Sequence, residues 1–337
     1  MKKIKKILVI RLSSLGDVLL TYPLLYILKN REAESEIHFV VKEQFIDAIR
    51  TNPFIDKVLI FSKNQLKELK TSIKKNKYEV IIDLQNNMRS RLLYFFERKA
   101  KIYRFKKPGL KKFLLVNFKI NLLKENPSIS LQYIKTIYPD YHSKNLDLYF
   151  HIPQDIETKS LQKISVENLN RPTIGICPGS RHFTKRYPVE KFKTLIQKFL
   201  DENFSVALFG GKDDFDICKE LKINPSVKNF QNENDLLETA SIMKKCSLII
   251  TNDSGLMHLS SLLQIPTIAI FGSTVKEFGF FPIYNKSIVI ENNNLKCRPC
   301  SHIGRSKCPE KHFKCMNDIN PDLIFNKSIE LIMSNQE

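Results

Sequence analysis

Short runs of valine, isoleucine and leucine recur along this 337-residue chain, each followed by helical spacing, and they fall into two series. The first comprises Ile7–Ile10, Ile37–Val41, Val58–Phe61, Val80–Asp83 and Ile102–Phe105, with helical patterns over Val18–Lys29, Glu43–Arg50 and Gln65–Lys75. The second comprises Thr173–Cys177, Ser205–Phe209, Leu248–Thr251, Thr267–Phe271 and Ile288–Ile290, separated by helical patterns near 188–201, 234–244 and 256–264. Runs apolar on both faces fit parallel strands covered by helices on each side, so each series predicts a doubly wound α/β domain. Residues 141–172 are polar and carry Pro153 and Pro172, which places the linker there. The expected domains are residues 1–160 and 165–320, with a final amphipathic helix over 321–337.

Composition excludes several classes. With 42% hydrophobic and 26% charged residues the chain is neither collagen-like nor disordered. No stretch approaches the roughly 20 apolar residues that a membrane-spanning helix needs. The opening MKKIKKILVI has only four consecutive apolar residues before Arg11 and no small-residue cleavage site, which suits a first strand better than a signal peptide. A cytoplasmic protein is expected. The formal charge of +19 is uneven: residues 1–160 hold 31 basic and 16 acidic side chains, the remainder 23 and 19. Between Arg89 and Lys124 there are twelve basic residues and one acid, Glu97, interleaved with Phe95, Phe96, Phe105, Phe113 and Phe118. Such a surface attracts nucleic acid, anionic lipid headgroups or a phosphorylated substrate, or it is simply solvated.

Open α/β sheets bind ligands at the carboxyl ends of their strands, and four turns there carry chemistry. Arg11-Leu12-Ser13-Ser14-Leu15-Gly16-Asp17 opens the first helix. Asp17 reads either as an N-cap or as a general base. Pro178-Gly179-Ser180-Arg181 and Lys185-Arg186-Tyr187-Pro188 combine small residues before a helix with cations, an anion site. Pro188 fits the first helical position. Phe209-Gly210-Gly211-Lys212-Asp213-Asp214 offers a carboxylate for ribose hydroxyls or merely a turn. Thr251-Asn252-Asp253-Ser254-Gly255-Leu256-Met257-His258 again presents N–H groups to an anion, and Asp253 can orient a lysine; Phe271-Gly272-Ser273-Thr274 follows one strand later. His258 reads as a donor-site contact or a core histidine. No GxGxxG or GxSxG is present.

Taken in order, ILVIRLSSLGDVLLTYPLLYILK, CPGSRHFTKRYPVEKF and LIITNDSGLMHLSSLLQIPTIAIFGST resemble the motifs of glycosyltransferase family 9, the bacterial lipopolysaccharide heptosyltransferases. The resemblance implies a GT-B fold: two Rossmann-like domains facing a central cleft, acceptor on the N-terminal side and sugar nucleotide on the C-terminal side. It implies an inverting transfer of L-glycero-D-manno-heptose from an ADP-sugar to the phosphorylated Kdo–lipid A inner core at the cytoplasmic membrane surface. Asp17 would be the base. Ser180, Arg181, Lys185, Asp213, Asp253, Ser254, Gly255, His258 and Thr274 would bind the donor, with Asp214 the alternative to Asp213 because Lys212 departs from the pattern. Ser13, Gly16, Arg89 and Arg91 would meet the acceptor. No cofactor is required for catalysis on this reading, and no nucleic-acid partner is expected. The competing readings are a related transferase for another sugar nucleotide and a basic nucleic-acid or phosphate-binding protein.

Cys297-x2-Cys300-x7-Cys308-x6-Cys315 stands apart. Four soft ligands suit structural zinc, with His302 and His312 able to substitute, and some members of the resembled family carry such segments. Unligated thiols, or a disulfide or cluster, are the other readings.

Overall fold

The computed structural model describes residues 6–143, 145–166, 171–232 and 235–334. The chain divides into two compact units: one built from the chain up to Pro108 with Pro127–His151, the other from Gly109–Asn126 with the chain from Ile152 onward. This corrects the expected domains. Gly109–Asn126, placed by sequence in the first domain, belongs to the second, because Leu115 and Leu123 are buried against Phe278. The final helix, Pro321–Met333, is no appendage, since Ile324 lies in the second core and Phe325 meets Phe199 with ring centroids 5.0 Å apart. The expected linker contains a helix, Gln154–Val166, held to its neighbour by Lys163–Glu238 at 2.7 Å. Residues 144 and 167–170 of that linker, and Lys2, Lys3 and Lys5, lie outside the described residues.

The first unit has five parallel strands: β1 (Lys6–Ile10), β2 (Glu36–Lys42), β3 (Lys57–Phe61), β4 (Val80–Asp83) and β5 (Lys101–Arg104). Their order is β3-β2-β1-β4-β5. β1 takes the centre because Ile7 to Ile10 are apolar on both faces and fully buried, pairing Ile7 with Ile37 on one side and Val80 on the other. The expected helix over Val18–Lys29 is two helices, Leu15–Leu19 and Tyr22–Arg31. Pro23, with no N–H to donate, sits in the first turn of the second, after Thr21 as N-cap. Glu43–Arg50 forms only a 3-10 helix over Glu43–Ala48.

The second unit has β6 (Thr173–Cys177), β7 (Ser205–Leu208), β8 (Val227–Asn229), β9 (Leu248–Asn252), β10 (Thr267–Phe271) and β11 (Ser287–Glu291), all parallel in the order β11-β10-β9-β6-β7-β8. Its helix Val189–Asp201 buries Phe192, Leu195, Ile196 and Phe199, spaced to form one apolar face. Pro188 is the N-cap of this helix, one residue earlier than expected. Among the described residues no helix is long and apolar enough to cross a membrane.

Candidate active site

Each sheet reverses its strand order once, and the loops that part at such a switch leave a crevice at the carboxyl ends. In the first unit the switch lies between β1 and β4, in the second between β6 and β9. Both switch points carry the charged turns singled out by sequence.

At the first, Arg11 ends β1 and is almost fully buried. Its guanidinium pairs with Asp17 Oδ1 at 2.5 Å, donates to Leu84 O beyond β4 at 2.7 Å and lies 5.7 Å from the Tyr133 ring centre. Asp17 is not the N-cap but the third helical residue of a capping box, with Ser14 as cap. Its Oδ2 accepts from Ser14 N at 3.1 Å and Ser14 Oγ at 2.7 Å, and Tyr133 Oη approaches Oδ1 at 3.4 Å. Burial pushes this carboxyl up, but the Arg11 charge and the Ser14 hydrogen bonds outweigh it and hold Asp17 below the ordinary carboxylate range. The group is therefore an oriented, ionised carboxylate.

Ser13 and Leu12 donate their N–H groups to Gln85 Oε1 at 3.3 and 3.0 Å, so Gln85 ties the β1 loop to the β4 loop. Gly16 is buried in the same short helix. Arg91 is spent on Asn86 Oδ1, at 2.9 and 3.1 Å. Arg89 lies along a cavity of about 590 Å³ with Lys42, Glu43, Gln44, Phe61 and Lys63, at the ends of β2 and β3. Tyr133, Gln85, Lys42 and Lys63 were not foreseen; only the fold brings them here.

At the second switch point, Lys185 Nζ meets Asp253 Oδ2 at 2.6 Å, both side chains largely buried. Thr274 Oγ1 donates to the same oxygen at 2.6 Å and Ser180 Oγ to Asp253 O at 3.2 Å. Four expected donor residues thus converge, and Asp253 orients the lysine. Asn252 Nδ2 donates to Pro178 O at 2.7 Å while its Oδ1 accepts from Tyr187 N, clamping the β6 loop to β9. Ser254 caps the helix Gly255–Leu262 without bonding its N–H groups through its side chain. Arg181 is exposed at the rim. His258 is buried, its ring 6.4 Å from that of Phe280, in the core and not in this convergence.

Of the two neighbouring acids, Asp213 is exposed and Asp214 turns inward. Asp214 Oδ2 accepts from Gly211 N at 3.0 Å, and its side chain fills the space beside Gly179 and Gly210. Burial pushes the Asp214 carboxyl up. Of the two, Asp214 is the acid packed against the β6 and β7 loops.

The four C-terminal cysteines are free thiols. Cys297 Sγ lies 4.0 Å from His312 Nε2, but among the described residues no three His, Cys, Asp or Glu side chains converge as a metal-holding group. Burial pushes the Cys315 thiol up to about 12, and the neighbouring Cys300, Cys308 and Cys297 push it the same way. The same segment carries Arg298, which sequence missed. Arg298 donates to Gly272 O at 2.5 Å and Thr274 O at 2.9 Å and pairs with buried Glu291 at 2.7 Å. It fixes the turn whose Thr274 hydroxyl holds Asp253.

Comparison with known proteins agrees with this geometry. The family model for glycosyltransferase family 9 (heptosyltransferase) matches residues 66–312. The chain is 26% identical over 334 residues to lipooligosaccharide heptosyltransferase 2 of Campylobacter jejuni, covering 94% of this chain and 95% of the relative. The Escherichia coli ADP-heptose lipopolysaccharide heptosyltransferase II superposes with a TM-score of 0.79 at 22% identity, covering 98% of this chain and 100% of that one. A family 9 glycosyltransferase from Veillonella parvula gives 0.82, also at 22% identity, with 98% of each chain covered. The two parallel-sheet units are those of the GT-B fold. The chain belongs to glycosyltransferase family 9, the heptosyltransferases.

Proposed function

We propose that this glycosyltransferase moves a heptose, with inversion, from ADP-L-glycero-D-manno-heptose to the inner core of lipopolysaccharide, working at the cytoplasmic face of the membrane. The observation that carries the reading is the pairing of roles at the two switch points. The first sheet presents an oriented, ionised carboxylate, Asp17, and the second a buried lysine, Lys185, beside an open helix N-terminus at Gly255. The names of the relatives supply the sugar, the nucleotide and the acceptor class.

Chemically, Asp17 takes the proton as an acceptor hydroxyl attacks the anomeric carbon, and the bond to the nucleoside diphosphate breaks. Lys185 and the N–H groups at Gly255 receive the charge that develops on the leaving diphosphate, the kind of preorganised stabilisation that contributes most to catalysis. Asp253 and Thr274 hold the lysine in place. Asp214 is the acid for the donor ribose. Lys42, Lys63 and Arg89, along one cavity, suit the phosphates of the acceptor.

The test compares Asp17→Asn with Lys185→Ala in heptose transfer and in thermal shift with ADP, GDP and UDP. Asp17→Asn should lose about 10²- to 10⁴-fold in turnover and keep the ADP shift. Lys185→Ala should lose both, by roughly 2–4 kcal/mol. Near-native turnover of Asp17→Asn removes the base assignment, and a shift with UDP or GDP alone removes the adenine nucleotide.

A further inference from the structure

The segment Gly109–Asn126 carries two apolar faces, and only one is used. Leu115 and Leu123 are buried against Phe278, with Val116 beside them. Lys119 Nζ donates to Cys297 O at 3.2 Å and Pro299 O at 2.8 Å, and Asn126 Nδ2 to Glu277 O at 3.0 Å. These contacts fix the helix Gly109–Phe118 to the second unit and decide which face turns outward. On that outward face Leu110, Phe113, Leu114 and Phe118 follow one another at helical spacing. Leu110 is 72% exposed, Phe113 55% and Phe118 61%, and Ile120 and Leu122, just beyond the helix, are exposed as well. Phe113 and Phe118 meet with ring centroids 6.0 Å apart, so the exposed rings form one surface.

Five large apolar side chains exposed within thirteen residues signal a covering partner. The charge in the same segment states its chemistry: Gly109–Asn126 holds Lys111, Lys112, Lys119 and Lys124 against one acid, Glu125, and Lys111 and Lys124 are exposed. A basic rim around exposed phenylalanines and leucines matches an anionic bilayer, where apolar side chains enter the acyl boundary and lysines meet headgroups. A protein partner of this chain's own kind would bring the same positive charge against it.

We infer that Gly109–Leu122 is a membrane-docking element, with Leu110, Phe113, Phe118, Ile120 and Leu122 entering the interface of an anionic phospholipid bilayer. This deepens the proposed reading, in which the acceptor is borne by a membrane, and names the residues that reach it.

The experiment is flotation of the full chain with vesicles free of any glycolipid. One set contains phosphatidylethanolamine and phosphatidylglycerol, the other phosphatidylcholine. The native chain should float with the anionic set and scarcely with the neutral one. Phe113→Ser/Phe118→Ser should lower its partition at least about tenfold with an unchanged thermal transition, both residues being exposed. Lys111→Glu, on the rim, should weaken binding several-fold, more at low salt than at high. The ADP thermal shift should be unaffected in both variants. Equal flotation on neutral vesicles, unchanged flotation of the double variant, or a dimer in sedimentation that the double variant dissolves would each overturn the inference. Loss of the ADP response in the native chain would count against the transferase reading instead.

Discussion

Arg11→Met tests whether Asp17 is both the base and tuned by its neighbour. Methionine keeps the unbranched apolar stem of Arg11 but removes the charge that lies 2.5 Å from Asp17 Oδ1. An opposite charge this close lowers a carboxylate by about 1–3 pH units. Without it the burial that already pushes Asp17 up acts against only the Ser14 hydrogen bonds. In the native protein the acid limb of kcat/KM should lie below the ordinary aspartate value of about 3.9. In Arg11→Met it should move up by about 1–3 units, so that activity falls most near pH 5 and recovers in the alkaline range. The sign for stability follows the same groups. A depressed Asp17 contributes stability above about pH 3.9 that is lost as pH falls through its folded value, and Arg11→Met should lack that acid-sensitive part. The assay is the pH profile of kcat/KM, which reports the free enzyme. A uniform loss at every pH, with the limb unmoved, would refute the reasoning and reduce Arg11 to a brace for Leu84 O.

Two further outcomes follow from the second unit. A Cβ at residue 179 would overlap the Asp214 carboxyl group, so Gly179→Ala should cost about 1–3 kcal/mol and weaken ADP binding; adding Asp214→Ala should restore the stability but not the ADP binding, because the ribose acid is then gone. Thermal shift with and without ADP checks this, and native stability of the single variant disproves it. Arg298→Leu strands buried Glu291 and should cost about 3–5 kcal/mol by denaturant midpoint. Glu291→Leu/Arg298→Leu should cost less, and a single-variant loss under about 1 kcal/mol would show that the clamp carries little.

The strands were legible because parallel, doubly covered strands must be apolar on both faces. Val80–Asp83, Thr173–Cys177 and Thr267–Phe271 fall where the apolar runs do. β8 was missed because Val227–Asn229 is a short edge strand with a lysine at its centre, and no apolar run is needed there. The break after Leu19 was written in Pro23, yet the surrounding leucines keep one spacing across it. Site turns were legible as turns, since glycines and charges at strand ends have few other uses. Their internal arrangement was not: nothing local says which of Asp213 and Asp214 turns inward, and the space beside Gly179 and Gly210 decides it. Arg298 sits in a stretch whose spacing draws attention to cysteines, while its partners Glu291, Gly272 and Thr274 come from elsewhere in the unit. Tyr133 reaches Asp17 across 116 residues, a separation at which composition and periodicity are silent.

The loan of Gly109–Asn126 to the second unit also sets an order of events during synthesis. Asn121 finds Glu277 only 156 residues later, which at bacterial or eukaryotic elongation rates of about 5–20 residues per second is roughly 8–30 s. For that interval a lysine-rich strip bearing Leu115 and Leu123 has left the ribosome while Phe278, which will shelter them, has not been made. The nascent chain thus displays both of its apolar faces at once, and a fragment begun at Ile152 would never receive the strip, leaving Phe278 without its cover.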